Sequence, residues 1–253
     1  MPETDSAGVR SVRRALELLG MFDSEHPART VRELIDATGL AKSTVVRLAH
    51  TLQQEGLLWT RPDGLLAPGP GLLRWAHLAR EAWKLPEEAL TCLKELSESS
   101  GGETVNIYVR THTTRICIAQ HEGTQNLRHV VRVGDTLPLW GGAASHVLLS
   151  RSEREDVEAV AETSPRGAEH ADDLWKRSRA AAESGWSVSH GEREAGVSGI
   201  AAPIFARTGE VAAAVALGGP TTRFTDAQVR DWIPVLTGAA ARLTSLDFIG
   251  AAQ

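Results

Sequence analysis

Three local signals in residues 30–56 most restrict what this chain can fold into. The stretch from Thr30 to Glu33 fits a capping box, in which the Thr hydroxyl caps the Glu amide and the Glu side chain reaches back to the Thr amide. Gly39 can supply the left-handed residue that ends a helix, and Gly56 ends the next periodic stretch. The spacing predicts one helix that ends at Thr38, a short glycine turn, and a second helix from about Lys42 to Glu55.

A further helix precedes this pair, and a hairpin follows it. In SVRRALELLGMF the apolar residues recur at spacings of three and four, which places them on one helix face. The runs LLWT and LLAP flank RPDG, where Pro62 and Gly64 suit a tight turn. The order helix, helix, glycine turn, helix, hairpin is that of a winged helix-turn-helix. The alternative is a small helical bundle whose third helix only faces water.

The third of these helices has an apolar face and a polar face. At 100° per residue, Val45, Ala49 and Leu52 lie together with Leu48, opposite a side that carries a hydroxyl, a guanidinium, an imidazole and an amide. Such groups suit the major groove of double-stranded DNA, because Arg forks onto guanine and Gln onto adenine, while Val can contact a thymine methyl. We therefore expect groove contacts from Ser43, Thr44, Val46, Arg47 and His50, and phosphate contacts from Lys42, Arg13, Arg14 and Arg61, the last at the tip of the wing.

Charge is unevenly distributed along the 253 residues, which carry a formal net charge of −5. Residues 10–61 hold eight Lys and Arg against six Asp and Glu, whereas residues 81–253 hold 17 against 23. A weakly basic head on an acidic body can bind DNA locally. No window approaches 18 uninterrupted apolar residues, and MPETDSAGVR has no apolar region of a secretory signal, so we expect a cytoplasmic protein that binds no membrane.

The sequence contains no pattern that predicts catalysis or metal binding. Its two cysteines are too few and too far apart for a disulfide framework or a zinc knuckle, and Cys117 with His112 or His121 is interpreted as structural. Ser145 and His146 are adjacent on a predicted helix and point about 100° apart, which disfavours a nucleophile–base pair. We therefore expect that the protein is not an enzyme, and that it has neither a cofactor nor a metal site.

The second half of the chain has the texture of an α+β domain. Two helical runs, 70–83 and 86–98, come first, and the former is apolar over so wide an arc that we expect it to pack on a partner chain. Predicted strands are ETVNIYVR, TRICIAQ, LRHVVRV, GWSVSH, SGIAAPIFA and VAAAVALGG, and predicted helices lie in WGGAASHVLLS, SEREDVEAVAE, DDLWKRSRAAAESG and the closing FTDAQVRDWIPVLTGAAARLTSL. We place a disordered tail at 1–8, the winged helix-turn-helix at 9–68, a linker helix at 69–84 and the sensory domain at 85–253.

Six segments resemble, in order and spacing, the IclR family of bacterial transcriptional regulators. They are SVRRALELL, GLAKSTVVRL, VRVGDTLPL, GWSV, EREAGVSGIAAP and GPTTRFT, and they span nearly the whole chain. The resemblance implies an α+β fold with an N-terminal winged helix-turn-helix, a linker helix and a C-terminal GAF-like effector-binding domain, assembled as a homodimer or a dimer of dimers. It implies a regulator, commonly a repressor, of operator DNA that responds to a small molecule. The alternatives are an activator of the same family, or a metabolite-binding protein or enzyme whose helical head only mediates dimerisation.

The resemblance also implies an effector pocket, from which this sequence departs in two places. The usual His-Ala-Thr/Ser-Ala-x-Gly-Lys is replaced by WGGAASH, and hydroxyls found in members that bind small carboxylates are missing at Ala216 and Gly218. A buried carboxylate would need other donors, which Ser189 and the amides of Gly141 and Gly142 offer together with Asn126 and His129. We expect a larger, partly aromatic or lactone-like effector. The pocket positions are Asn126, His129, Leu137, Trp140, Ala143, Ala144, Ser189, Gly199, Ala216 and Gly218.

Several of these positions admit a second interpretation. Trp140 is either a flat apolar wall for the effector or an ordinary core residue. Gly141 and Gly142 either cradle an anion or permit close packing, and His129 either contacts the effector or is a satisfied strand residue. The charged stretch HGERE is interpreted as a solvated loop, with Glu192 and Arg193 as candidates to gate the pocket.

Overall fold

A computed structural model describes residues 8–23 and 25–249, and the predicted tail lies outside this range apart from Gly8. The chain divides into two compact units, with the boundary between Ala82 and Trp83. None of the described helices combines the length and the apolar character that a membrane span requires. The two units are described separately.

The first unit has the predicted order of elements. They are α1 (Arg10–Leu19), α2 (Val31–Thr38), α3 (Lys42–Gln54), the antiparallel strands β1 (Leu58–Thr60) and β2 (Leu66–Pro68), and α4 (Leu72–Ala82). The capping box is present, since the amide of Glu33 donates to Thr30 Oγ1 over 3.1 Å and the amide of Thr30 donates to Glu33 Oε2 over 2.6 Å. Gly39 ends α2 with a φ of 65°, in the left-handed region that favours glycine.

A small apolar core holds α1, α2, α3 and the hairpin together. It consists of Leu18, Leu34, Val45, Ala49, Leu52, Leu58 and Leu66. The apolar face of α3 thus points inward, as its periodicity predicts, and its polar face is left at the surface. Helix α4 buries none of its residues, and Leu73, Trp75 and Leu78 are 72%, 58% and 47% exposed.

The second unit is a six-stranded antiparallel sheet covered by helices on both faces. Its helices are α5 (Glu87–Ser99), α6 (Ala143–Leu148), α7 (Arg154–Glu162), α8 (Ala171–Ser184) and α9 (Asp226–Ser245). Its strands are β3 (Thr104–Thr111), β4 (Thr114–His121), β5 (Thr136–Pro138), β6 (Ser187–His190), β7 (Val197–Phe205) and β8 (Val211–Pro220), in the order β5-β4-β3-β8-β7-β6. Short 3₁₀ helices lie at Gly167–His170 and Thr221–Arg223.

Alternation along the strands divides the core of this unit into two clusters. On β8, Ala213, Val215 and Leu217 belong to the cluster with α5 and α9, whereas Ala214 and Ala216 belong to the cluster with α6, α7 and α8. This is the period of two expected when successive side chains point to opposite faces of a sheet. The predicted α+β class is therefore confirmed.

The strand predicted over LRHVVRV is wrong, because residues 122–135 form a loop. Of its large apolar side chains only Val131 is buried, while Leu127, Val130 and Val133 are exposed. Backbone groups of Cys117 on the edge of β4 bond instead to Gly134 and Asp135, and the unpredicted short strand β5 pairs with the rest of that edge. The segment has the composition of a strand, but the edge of β4 that it could have joined is already paired with β5 and with Gly134 and Asp135.

Candidate functional site

The outward face of α3 carries the residues predicted to enter the DNA groove. Val46, Arg47 and His50 are exposed there, as are Lys42 and Ser43 at the start of the helix, and Thr44 is half-buried. The arrangement follows from the burial of Val45, Ala49 and Leu52 on the other side. Their contacts with DNA remain a prediction.

The predicted phosphate contacts lie around this face. Arg13 is exposed and Arg14 half-buried on α1, and Arg14 lines a groove between α1 and α3 together with Thr44 and Arg47. Arg61 lies in the turn between β1 and β2, where its Nη2 atom forms an ion pair with Asp63 Oδ2 over 3.0 Å. Because this pair is exposed, it does not prevent Arg61 from meeting a phosphate at the tip of the wing.

A cavity of about 60 Å³ in the second unit contains most of the predicted pocket positions. The sheet, the start of α6 and the 191–196 loop supply its walls. The structure brings eight of the ten predicted residues to it, namely His129, Leu137, Ala143, Ala144, Ser189, Gly199, Ala216 and Gly218. Their binding of an effector remains a prediction, but their convergence identifies one place where it can be tested.

Asn126 and Trp140 do not line this cavity. Asn126 is exposed in the 122–135 loop, where no strand forms. Trp140 is half-buried against the apolar cluster of α6, α7 and α8, with its ring 6.3 Å from that of His170. This position agrees with the interpretation of Trp140 as a core residue. The cavity therefore lacks the tryptophan side chain that supported the expectation of an aromatic effector.

Arg115 is one of several cavity residues that sequence reasoning missed, along with Asn106 and Tyr108. It lies on β4 with 5% of its surface exposed, and its guanidinium stacks 5.3 Å from the ring centre of Tyr108. Nη1 donates to the carbonyls of Pro138 and Gly141, over 3.1 and 2.9 Å, and to Ser145 Oγ, whereas Nε has no partner. No carboxylate of the described residues forms an ion pair with Arg115, and burial lowers its pKa to about 10.

The amides at the start of α6 are occupied by side chains of the protein itself. The amide of Gly142 donates to Glu192 Oε2 and that of Ala143 to Ser189 Oγ, each over 2.9 Å. Gly142 has a φ of 100°, and a Cβ atom there would lie 3.3 Å from Arg115 Nη2. Gly142 therefore allows the turn and leaves the guanidinium accessible from the cavity.

Glu192 connects the 191–196 loop to two helices. Its Oε2 atom lies 3.1 Å from His146 Nε2, and its Oε1 atom accepts from Arg177 Nη1 over 3.0 Å. Burial opposes the charge of Glu192, but the contact with His146, the bond from Gly142 and the charge of Arg177 outweigh it and lower its pKa to about 2. The neighbouring Arg193 donates to His129 Nε2 over 3.0 Å.

Burial, and then the charge of Arg193, lower the pKa of His129, so this imidazole is a neutral acceptor at the cavity wall. The Ser145 hydroxyl donates to the Gly141 carbonyl, while His146 Nδ1 lies 2.9 Å from Ser187 Oγ. The two adjacent residues are thus bonded elsewhere and do not form a nucleophile–base pair.

Cys117, one residue of the predicted cysteine and histidine trio, lies within the apolar cluster of α6, α7 and α8. Cys117 is buried, its thiol donates to the Ala119 carbonyl over 3.3 Å, and burial raises its pKa to about 12. Within residues 8–23 and 25–249, no three His, Cys, Asp or Glu side chains are grouped so that they can hold a metal ion.

Comparison with known proteins agrees with this division into a DNA-binding head and a sheet domain with a cavity. The IclR helix-turn-helix domain matches residues 11–62, and the C-terminal domain of the bacterial transcriptional regulator IclR matches residues 78–245. The regulator KipR of Bacillus subtilis is 30% identical to this chain, over 90% of it and 91% of KipR. The acetate operon repressor of Salmonella typhimurium is 27% identical, over 93% of this chain and 89% of the repressor.

A crystal structure of an IclR-family regulator from Rhodococcus sp. is 41% identical and has a TM-score of 0.64, with 97% of this chain and 96% of that chain covered. These matched proteins are transcriptional regulators and not enzymes. The two family models together match both halves of the molecule, and the first of them is a helix-turn-helix DNA-binding domain. The chain belongs to the IclR family of bacterial transcriptional regulators.

Proposed function

We propose that this regulator is a repressor released from its operator by a small organic acid whose carboxylate pairs with Arg115. The carrying observation is a buried guanidinium that faces a cavity and has no carboxylate partner. An unpaired buried charge is costly, and a ligand that neutralises it recovers that cost on binding. Arg is also the side chain whose planar fork best matches a carboxylate.

The free donors of Arg115 support an anionic ligand. Nη1 is occupied by three oxygen atoms, and Nε lacks a partner but is fully buried. Nη2, which forms no hydrogen bond to the described residues, is the donor left for a ligand. Asn106, buried on β3, adds an amide to the cavity wall. The cavity volume favours a compact acid over the larger effector that the sequence alone predicts.

A homodimer would convert this binding into control of DNA. The exposed apolar face of α4 is well suited to a second copy of the chain, as its sequence predicts. Two helix-turn-helix heads in a symmetric dimer contact two half-sites at a set spacing. An acid that binds one arrangement of the dimer more tightly shifts the population toward it and changes operator affinity by that difference. The similarity to the acetate operon repressor supports the proposal that this chain represses transcription and does not activate it.

Fluorescence anisotropy on DNA from upstream of the gene tests the proposal. Pyruvate, benzoate and 4-hydroxybenzoate serve as acid probes, and γ-butyrolactone tests the lactone expected from the sequence. We expect an acid, and not the lactone, to release wild-type protein from DNA. Arg115→Gln should bind DNA normally but lose the response, while Arg110→Gln, altered at a residue that bonds Ser152 and Asp156 outside the cavity, should keep it. A response that survives in Arg115→Gln, or that is specific to the lactone, contradicts the assignment.

A further inference from the structure

We propose that Asn106 and Tyr108 select, among organic acids, those that carry an oxo or hydroxyl oxygen on the carbon next to the carboxylate. The inference rests on the function proposed above, in which the carboxylate itself pairs with Arg115. It adds the two side chains that distinguish one acid from another and the kind of group that they recognise. Both residues line the cavity together with Arg115.

The sheet places Asn106 and Tyr108 next to Arg115. The two residues are separated by one position on β3, so their side chains point to the same face. Tyr108 is paired with Cys117 on β4, and Arg115 lies two residues before Cys117, also on that face. The guanidinium of Arg115 lies 5.3 Å from the ring centre of Tyr108. A group attached one carbon away from a carboxylate bound to Arg115 is therefore placed beside the β3 side chains.

The amide nitrogen of Asn106 is a donor without a protein partner. Asn106 is 2% exposed, and its Oδ1 atom accepts from the Cys117 thiol, with Sγ at 3.8 Å. The Nδ2 atom is thereby directed away from Cys117, and it forms no hydrogen bond to the described residues. Polar groups inside a protein normally have a partner, because burial without one is unfavourable. A ligand oxygen in the cavity supplies that partner.

The hydroxyl of Tyr108 is the second such donor. Tyr108 is 5% exposed and its ring stacks on Arg115, but its hydroxyl forms no hydrogen bond to the described residues. Burial raises the pKa of Tyr108, so the hydroxyl keeps its proton and remains a donor at neutral pH. A phenol can also accept, which lets it serve a hydroxyl group as well as an oxo group on the ligand.

These unpaired donors make the cavity discriminate between acids. An acid with carbon in place of the second oxygen excludes water from Asn106 and Tyr108 and leaves both donors without a partner. A site built to hydrogen-bond an oxygen strongly rejects an analogue that lacks it, because the polar groups of the site are then left unpaired. The sequence departure at Ala216 contributes to this, since Ala216 is paired with Asn106 across β3 and β8 and offers the amide no hydroxyl.

Isothermal titration calorimetry of the full chain with two pairs of acids measures this selectivity. Pyruvate and methacrylate differ by an oxo oxygen against a methylene carbon, and lactate and isobutyrate differ by a hydroxyl against a methyl. Each pair keeps the carboxylate and nearly the same shape. We expect wild type to bind the oxygenated acid of at least one pair about tenfold more tightly, the value of one hydrogen bond to a donor otherwise left unpaired. The pair with the larger ratio distinguishes an oxo from a hydroxyl ligand.

Two variants test the residues. Tyr108→Phe removes the hydroxyl and keeps the ring that stacks on Arg115, so it should weaken binding of the oxygenated acid about fivefold and leave its hydrocarbon partner unchanged. Asn106→Leu, of similar volume, should act in the same way. Asn126→Leu, altered at the other asparagine of the chain, which is exposed outside the cavity, should keep the preference of wild type. Tyr108→Phe deletes a single oxygen atom and decides the question even if Asn106→Leu does not fold.

Equal affinities within both pairs in wild type, or a preference that survives undiminished in Tyr108→Phe, overturn the inference. Arg115→Gln should weaken all four acids alike, because each has the same carboxylate. If the four acids bind equally and all depend on Arg115, the acid site stands and the selectivity fails. If the preference depends on Tyr108 but binding does not depend on Arg115, the selectivity stands and the role of Arg115 fails. If none of the four acids binds wild type, both are wrong.

Discussion

Replacement of Arg115 by methionine should leave the stability of the ligand-free protein nearly unchanged, although Arg115 is buried. The fall in the pKa of Arg115 to about 10 from its ordinary value corresponds to about 3 kcal/mol of destabilisation of the charged folded state. This cost is present at every pH below about 10, because there Arg115 is charged in both the folded and the unfolded chain. Methionine removes it.

The substitution also removes the hydrogen bonds of the two Nη1 protons, which three oxygen atoms share, at about 1.5 kcal/mol per proton. The two contributions nearly cancel, and we expect a change in the free energy of unfolding of less than about 1 kcal/mol. Arg223→Met is the matched control. Arg223 pairs through two nitrogens with Glu103, which is buried, and its removal leaves that carboxylate unpaired at a cost of about 3–5 kcal/mol.

Urea unfolding followed by tryptophan fluorescence provides the assay, since five of the seven tryptophans lie in the second unit. In thermal unfolding, a loss of 3 kcal/mol corresponds to a fall in Tm of about 6–12 °C for a unit of this size. A saturating acid ligand should stabilise wild type and not Arg115→Met. A loss of more than about 3 kcal/mol in Arg115→Met would refute the reasoning, because it would show that the charge is already paired within the protein.

Three further predictions concern the DNA-binding head. Arg47→Ala should weaken operator binding by about 1–3 kcal/mol and relax selectivity at one base position, and gel-shift affinities that fell equally for operator and scrambled duplex would contradict this. Arg61→Ala should reduce the slope of log K against log salt by about one, measured by anisotropy from low to high salt. Thr30→Ala should lower the free energy of unfolding by about 1 kcal/mol in urea titration, because the capping box of α2 is lost, and unchanged stability would show that α2 does not depend on it.

The sequence predicted the head of the molecule closely because its signals act over three or four residues. The bonds between Thr30 and Glu33 and the left-handed Gly39 are local events that tertiary packing did not override. The apolar run VAAAVALGG was likewise predicted to be a strand, and it forms β8. Where such local evidence was incomplete, prediction failed: LRHVVRV has the composition of a strand, but the edge of β4 is paired to β5 and to a turn at Asp135.

The cavity was predicted only in part, for a different reason. Arg115 lies in strand β4, two residues before Cys117. This spacing gives the two residues the same phase in the alternation of the strand, and it is the one signal that the sequence carries for Arg115. That phase predicts that both side chains point to the same face, but the lack of an ion pair at Arg115 depends on residues that are distant in the chain. Trp140 follows directly after Leu139, yet packing turns its ring toward His170 and not toward the cavity.

The amino-acid sequence by itself determined the helix-turn-helix, the hairpin and the α+β character of the second half, since periodicity, capping and turn residues act through neighbours along the chain. Only the tertiary structure decided which charged side chains form ion pairs and which do not. Glu192 reaches His146 and Arg177 because a loop, a short helix and a long helix converge at one end of the sheet. Arg115 lies at the same cavity without an ion pair, because the carboxylate of Glu192 is turned to Gly142, His146 and Arg177, and interactions of this kind depend on distances in space.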